Sequence, residues 1–149
     1  MAEKAASMVT KRAAGFVIYQ NISGSFQYLL LQTSYGRNHW TPPKGHVDPG
    51  ESDLQTAYRE TLEESGITKD DLAIHENVKF ELNYHVKGGI PKTSVYWLAK
   101  LINPEAVVKL SNEHIAFKWS GLKEACSLAD FADFQDMLHK CEKYLCENN

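Results

Sequence analysis

Seven residues stand at fixed intervals between positions 45 and 66: Gly45, Glu51, Arg59, Glu60, Glu63, Glu64 and Gly66. Clustered carboxylates beside a guanidinium suit two kinds of chemistry, ligation of a hard cation and proton transfer. If each fixed position costs roughly one in fifteen by average composition, chance yields this pattern on the order of 10⁻⁸ per starting point. The element that must carry the acids is legible around them. Asp48, Pro49 and Gly50 make a turn, because proline presets φ and glycine accepts positive φ. Ser52 with Gln55 three residues on forms a capping box, and Asp53 suits the positive end of a helix dipole. The spacing predicts a helix over 53–65, ended by Gly66 in the left-handed region. Leu54, Ala57, Tyr58, Thr61 and Ser65 form its small or apolar face. Glu60, Glu63 and Glu64 relate as i, i+3 and i+4, so they share about a 100° arc beside that face. Arg59, four residues before Glu63, is within pairing reach of it.

A solvated charged face is the common fate of a glutamate-rich helix surface. Here only Arg59 offers local compensation for like charges at i, i+4. Carboxylates about 4 Å apart repel by roughly 4 kcal/mol at an effective dielectric near 20, before screening. A divalent cation removes that cost, and Mg²⁺ or Mn²⁺ is the natural partner of an oxygen-only set.

The complete spacing from Gly45 to Gly66, followed by the aliphatic Ile67, resembles the box of the Nudix family. Thr61 departs from it, standing where an aliphatic residue is usual, which questions helix packing rather than metal binding. Nudix enzymes use Mg²⁺ or Mn²⁺ to hydrolyse nucleoside diphosphates linked to another group. The resemblance implies an α/β fold, an α/β/α sandwich with a mixed β-sheet and the box as a loop, helix and loop. It implies that Glu60 and Glu64 hold the cations, with Glu63 a further ligand or the general base. Arg59 would orient the carboxylates rather than touch substrate, and Glu51 would buttress Arg59 or the loop.

The flanks narrow the resemblance. His39-Trp40-Thr41-Pro42-Pro43-Lys44-Gly45-His46-Val47 runs into the box. Further on come Glu81-Leu82-Asn83-Tyr84, Pro91-Lys92-Thr93, Ser111-Asn112-Glu113-His114 and Lys118-Trp119. Over 13–145 these closely resemble the animal and archaeal type of diadenosine tetraphosphate hydrolase, which splits its substrate into ATP and AMP by water attack at phosphorus. The resemblance brings Glu113 toward the metals, though a glutamate in a polar turn also reads as plain surface; Glu63 and Glu113 both remain candidates for the base. It makes Lys44 and Lys92 phosphate contacts, where a lone lysine is ordinarily solvated. His39 would hydrogen-bond the phosphate chain or cap the loop before Trp40. Tyr84 and Phe131 would clamp adenine, or serve as core residues of their elements. Within enzymes, another dinucleoside polyphosphate or a nucleotide cap on RNA is the alternative substrate. A ligand-sensing module without hydrolysis is the alternative class, and such modules commonly lose box acids that are all present here.

The rest of the chain agrees with a single domain over 1–149, of which about 1–12 is a flexible extension. Its 149 residues, 43% hydrophobic, suffice for a sizeable core. A net charge of −3 with no basic stripe argues against stable nucleic-acid binding. No apolar run is long enough for a leader or a membrane span. Cys126, Cys141 and Cys146, odd in number, read as reduced thiols in a cytoplasmic or nuclear protein. The His residues show no zinc-ligand spacing, and a monomer is expected. Strands are expected at 13–20, 26–32, 77–86, 93–101 and 116–119, with helices at 122–129 and 131–146, the latter capped by Asp130. Val78, Phe80, Leu82, Tyr84 and Val86 would line one side of their strand, and Phe131, Phe134, Leu138, Cys141 and Leu145 the last helix's stripe.

Overall fold

The computed structural model describes residues 11–85, 89–129 and 131–148. Alternation along the first strand builds the molecule outward in two directions. In β1 (Lys11–Ile22), Val17 and Tyr19 face one side while Ala14, Phe16 and Ile18 face the other, all buried. β2 (Ser25–Thr33) returns antiparallel through the Ser23-Gly24 turn, where both residues take positive φ, 52° and 89°. β6 (Pro91–Leu101) pairs parallel with β1, and β5 (Leu72–His85) pairs antiparallel with β6. β3 (Trp40–Thr41) and β7 (His114–Ser120) both join β2, and β4 (Lys44–His46) joins β1. The sheet is therefore mixed.

Helices cover both faces. α1 (Asp53–Ser65) lies on the Phe16–Leu31–Trp97 side. α2 (Leu122–Leu128) and α3 (Ala132–Asn148) lie on the Tyr28–Tyr96–Leu98 side, where α3 buries Phe134, Met137, Leu138, Cys141 and Leu145. The expected α/β/α sandwich is the observed one.

Local expectations for α1 hold in detail. Ser52 and Gln55 form both bonds of the capping box, and Gly66 takes φ 76°. Thr61 is fully buried and its hydroxyl has no partner among the described residues, so the departure noted in the sequence carries a desolvation cost. Other boundaries differ. β1 already includes Lys11 and Arg12, which the sequence reading left in the extension; pairing with β6 and a two-pronged bond from Arg12 to Asp53, both at 2.7 Å, hold them in place. Residues 1–10 lie outside the described residues, as do Val86 and the proposed cap Asp130. β5 begins five residues earlier than expected, because an irregularity between His75 and Lys79 interrupts the alternation on which the expectation rested. β3 and β4, where the sequence pattern predicts no strand, are strands of two and three residues. Phe131 precedes α3 and is half exposed, so it does not begin the buried stripe.

Candidate active site

α1 is suspended from its N-terminal loop by Arg59. That guanidinium donates to Glu51 at 2.6 and 3.0 Å, to the His46 carbonyl at 2.9 Å, to Glu60 at 3.0 Å and to both Glu63 oxygens at 3.3 Å. Asp48 is a further partner at 3.3 Å. Glu51 also accepts from the Thr56 hydroxyl at 2.6 Å and the Asp48 N–H at 3.1 Å. Arg59 above all, with Thr56, holds the Glu51 carboxyl down to about 2. Loop and helix are thereby locked in one geometry.

Glu64 lives in the opposite environment. It is only 8% exposed and accepts the Lys44 N–H at 3.0 Å. Burial, with the charges of Glu60 and Glu113 adding to it, pushes its carboxyl up to about 8 against that hydrogen bond. Glu60 is raised too, by burial first and by Glu63 and Glu113, with Arg59 opposing. Its carboxylate lies so close to Gly45 that a Cβ there would push it from its place. Glu63 is exposed and turned toward Arg59. Glu113 sits immediately before β7, its loop fixed by bonds from Ser34 N–H to its carbonyl (2.8 Å) and from its own N–H to Ser111 Oγ (3.2 Å).

Glu60, Glu63, Glu64 and Glu113 are an oxygen-only set, and the raised Glu60 and Glu64 are carboxylates that a cation would relieve. The chemistry of the donor set fits a hard divalent ion. The four do not form a closed cage: among the described residues no three acidic, His or Cys side chains converge closely enough to hold an ion. Arg59 draws Glu63 aside.

Beside Glu64 opens a cavity of about 590 Å³. His39, Lys44, Tyr84, Lys92 and Phe131, drawn from four separate stretches of chain, all line it. Burial lowers the Lys44 and Lys92 ammonium groups; Lys92 adds to the shift of Lys44, and Lys11 to that of Lys92. The Tyr84 ring stands with Lys92 Nζ 5.9 Å from its centre. Phe131, half exposed, packs against His39 and Phe134 at ring separations of 5.6 and 6.0 Å. Gln135 fixes the turn that carries Phe131 by donating to the carbonyls of Cys126 (3.0 Å) and Ala129 (2.9 Å). Acidic, cationic and aromatic side chains thus line one cavity.

Sequence reasoning missed Tyr35 and His114 as lining residues. His114 is buried, with Nε2 4.0 Å from Glu64, and burial lowers its pKa. It was visible within the Ser-Asn-Glu-His motif; Tyr35, in an irregular loop, carried no signal.

Residues 9–140 match the NUDIX domain, and the chain belongs to the Nudix family. Among its relatives is the Caenorhabditis elegans bis(5'-nucleosyl)-tetraphosphatase [asymmetrical], 52% identical over 93% of this chain and 98% of that protein. The Sus scrofa protein of the same name is 49% identical over 91% of this chain and 95% of its own length. A crystal structure of a C. elegans Ap4A hydrolase binary complex superimposes with a TM-score of 0.89, at 50% identity over 93% of this chain and 99% of that one. No helix among the described residues is long and apolar enough to cross a membrane.

Proposed function

We propose that this chain hydrolyses diadenosine tetraphosphate asymmetrically, to ATP and AMP, by attack of water on phosphorus. One observation supports this above the rest: a single cavity joins the acidic end of α1 to two lysines and two aromatic rings. An adenosine bound against Tyr84 and Phe131 would extend its phosphates past Lys44 and Lys92 toward Glu60 and Glu64. Relatives of that name, about half identical over nearly the whole chain, support the same substrate.

The roles follow from environment. Tyr84 and Phe131 flank one base, and base–aromatic stacking contributes about 1–3 kcal/mol with little discrimination between bases. Lys44 and Lys92, poorly hydrated and mutually repelled, gain most when a polyanion arrives. His39 stands where it can donate to the phosphate chain. Glu60 and Glu64 would hold the cation, with Glu63 and Glu113 completing the donor set. A divalent cation such as Mg²⁺ or Mn²⁺ supplies Lewis acidity and charge neutralisation at the phosphates. Arg59 and Glu51 keep the helix in register with the loop, so the acids meet the phosphates in fixed orientation. Glu63 or Glu113 accepts the proton of the attacking water. The enzyme acts as a monomer, a single domain in the cytoplasm or nucleus, on a small dinucleotide.

Product analysis with diadenosine tetraphosphate and Mg²⁺ tests the reading. Equal amounts of ATP and AMP are expected, with 18-oxygen from labelled water in one product only. Two molecules of ADP, or no turnover beside efficient cleavage of another nucleotide, would overturn it.

A further inference from the structure

The cavity wall at Tyr84 is formed by β5 and β6. Leu82 pairs with Ser94 and Tyr84 with Lys92, which places Tyr84 and Ser94 diagonally on one face of the two strands. The Tyr84 hydroxyl lies 3.0 Å from Ser94 Oγ. Ser94 is fully buried, so it contacts no ligand in the cavity. The next residue on that face, Tyr96, is also fully buried; its hydroxyl lies beside Ser94 with no partner of hydrogen-bonding geometry among the described residues. Of the hydroxyls on this face, Tyr84 and Ser94 form the bond.

A tyrosine at the edge of an open cavity has neighbours on one side only and is free to swing about two torsions. A bond at the far end of the ring restrains both torsions at once. Affinity rises when a contact surface is held in its bound orientation beforehand, because less freedom is lost on binding. We propose that Ser94 is a positioning residue of the nucleobase clamp, its buried hydroxyl holding the Tyr84 ring at the orientation on which adenine stacks. The proposal rests on the clamp reading of Tyr84 given above.

Steady-state kinetics on diadenosine tetraphosphate, with thermal melts of each protein, test it through Ser94→Ala, Tyr84→Phe, the double variant and Tyr84→Ala. Ser94→Ala and Tyr84→Phe are each expected to raise KM about two- to tenfold, the scale of one net hydrogen bond, with kcat within twofold. The double variant should raise KM no further than either single, because both remove the same bond. Tyr84→Phe, losing only a hydroxyl, reads out the bond even if Ser94→Ala folds poorly. Unchanged KM in Tyr84→Phe and Ser94→Ala, or effects that multiply in the double variant, would overturn the role of Ser94. If Tyr84→Ala also leaves KM unchanged, the clamp itself fails; if it raises KM while the other two do not, only the Ser94 proposal fails.

Discussion

Glu51, just before α1, and Glu64, in its last turn, live in opposite conditions. Glu51 is surrounded by donors from Arg59, Thr56 and Asp48 and is held down to about 2. Glu64 is buried with one backbone donor and is driven up to about 8. The first carboxylate is already satisfied by the protein, so it shapes the loop and has little left to offer a ligand. The second is left under-compensated, and a cation is what it lacks. One short motif contains both kinds of acid, and residue type alone does not tell them apart.

Glu64→Gln should break the comparison hardest. It removes the under-compensated charge while keeping shape and one acceptor for Lys44 N–H, so turnover should fall on the order of 10³-fold with the melting temperature unchanged or raised. Near-normal turnover would remove Glu64 from the reaction. Arg59→Lys acts on the satisfied side. A point charge cannot replace a planar fork that reaches Glu51, Glu60, Glu63 and the His46 carbonyl together. We expect turnover to drop roughly ten- to a hundredfold, with a lower melting temperature; a full loss matching Glu64→Gln would mean that Arg59 touches substrate.

The smallest effect is also the most diagnostic. Without metal, folded protein holds a proton on Glu64 between about pH 4.5 and 8 that the unfolded chain has released, so stability should fall as pH rises through that window. For Glu51 the sign reverses: its contribution is complete above about 4.5 and is lost as pH falls toward 2. Urea melts in chelator across pH should show both slopes. Glu64→Gln should shrink the upper slope, leaving the part that belongs to the likewise raised Glu60, and saturating Mg²⁺ should flatten it, with the lower slope unchanged in both. An upper slope that survives both would belong to another group.

Much of this was legible because it is local. Caps, turn and i, i+3, i+4 spacing are set by residues within one or two helical turns, so α1 could be read from end to end. Alternation likewise marked the strands, until the irregularity in β5 shifted its register after His75. The two- and three-residue strands at Trp40 and Lys44 left no pattern, since they exist only because β2 and β1 are there to pair with. Phe131 looked like the first residue of an apolar stripe, and only the turn tied by Gln135 turned it out over the cavity.

By itself the sequence determined the acidic helix, its caps, its arginine and the reaction that such a set suggests. Tertiary structure decided which carboxylate is satisfied and which is not. Charge and spacing are properties of the chain, whereas solvation depends on what the fold places overhead. Burial beneath the loop at Lys44 raises Glu64, the nearness of Gly45 admits Glu60, and distant strands bring Tyr84, Lys92 and Ser94 to the same cavity.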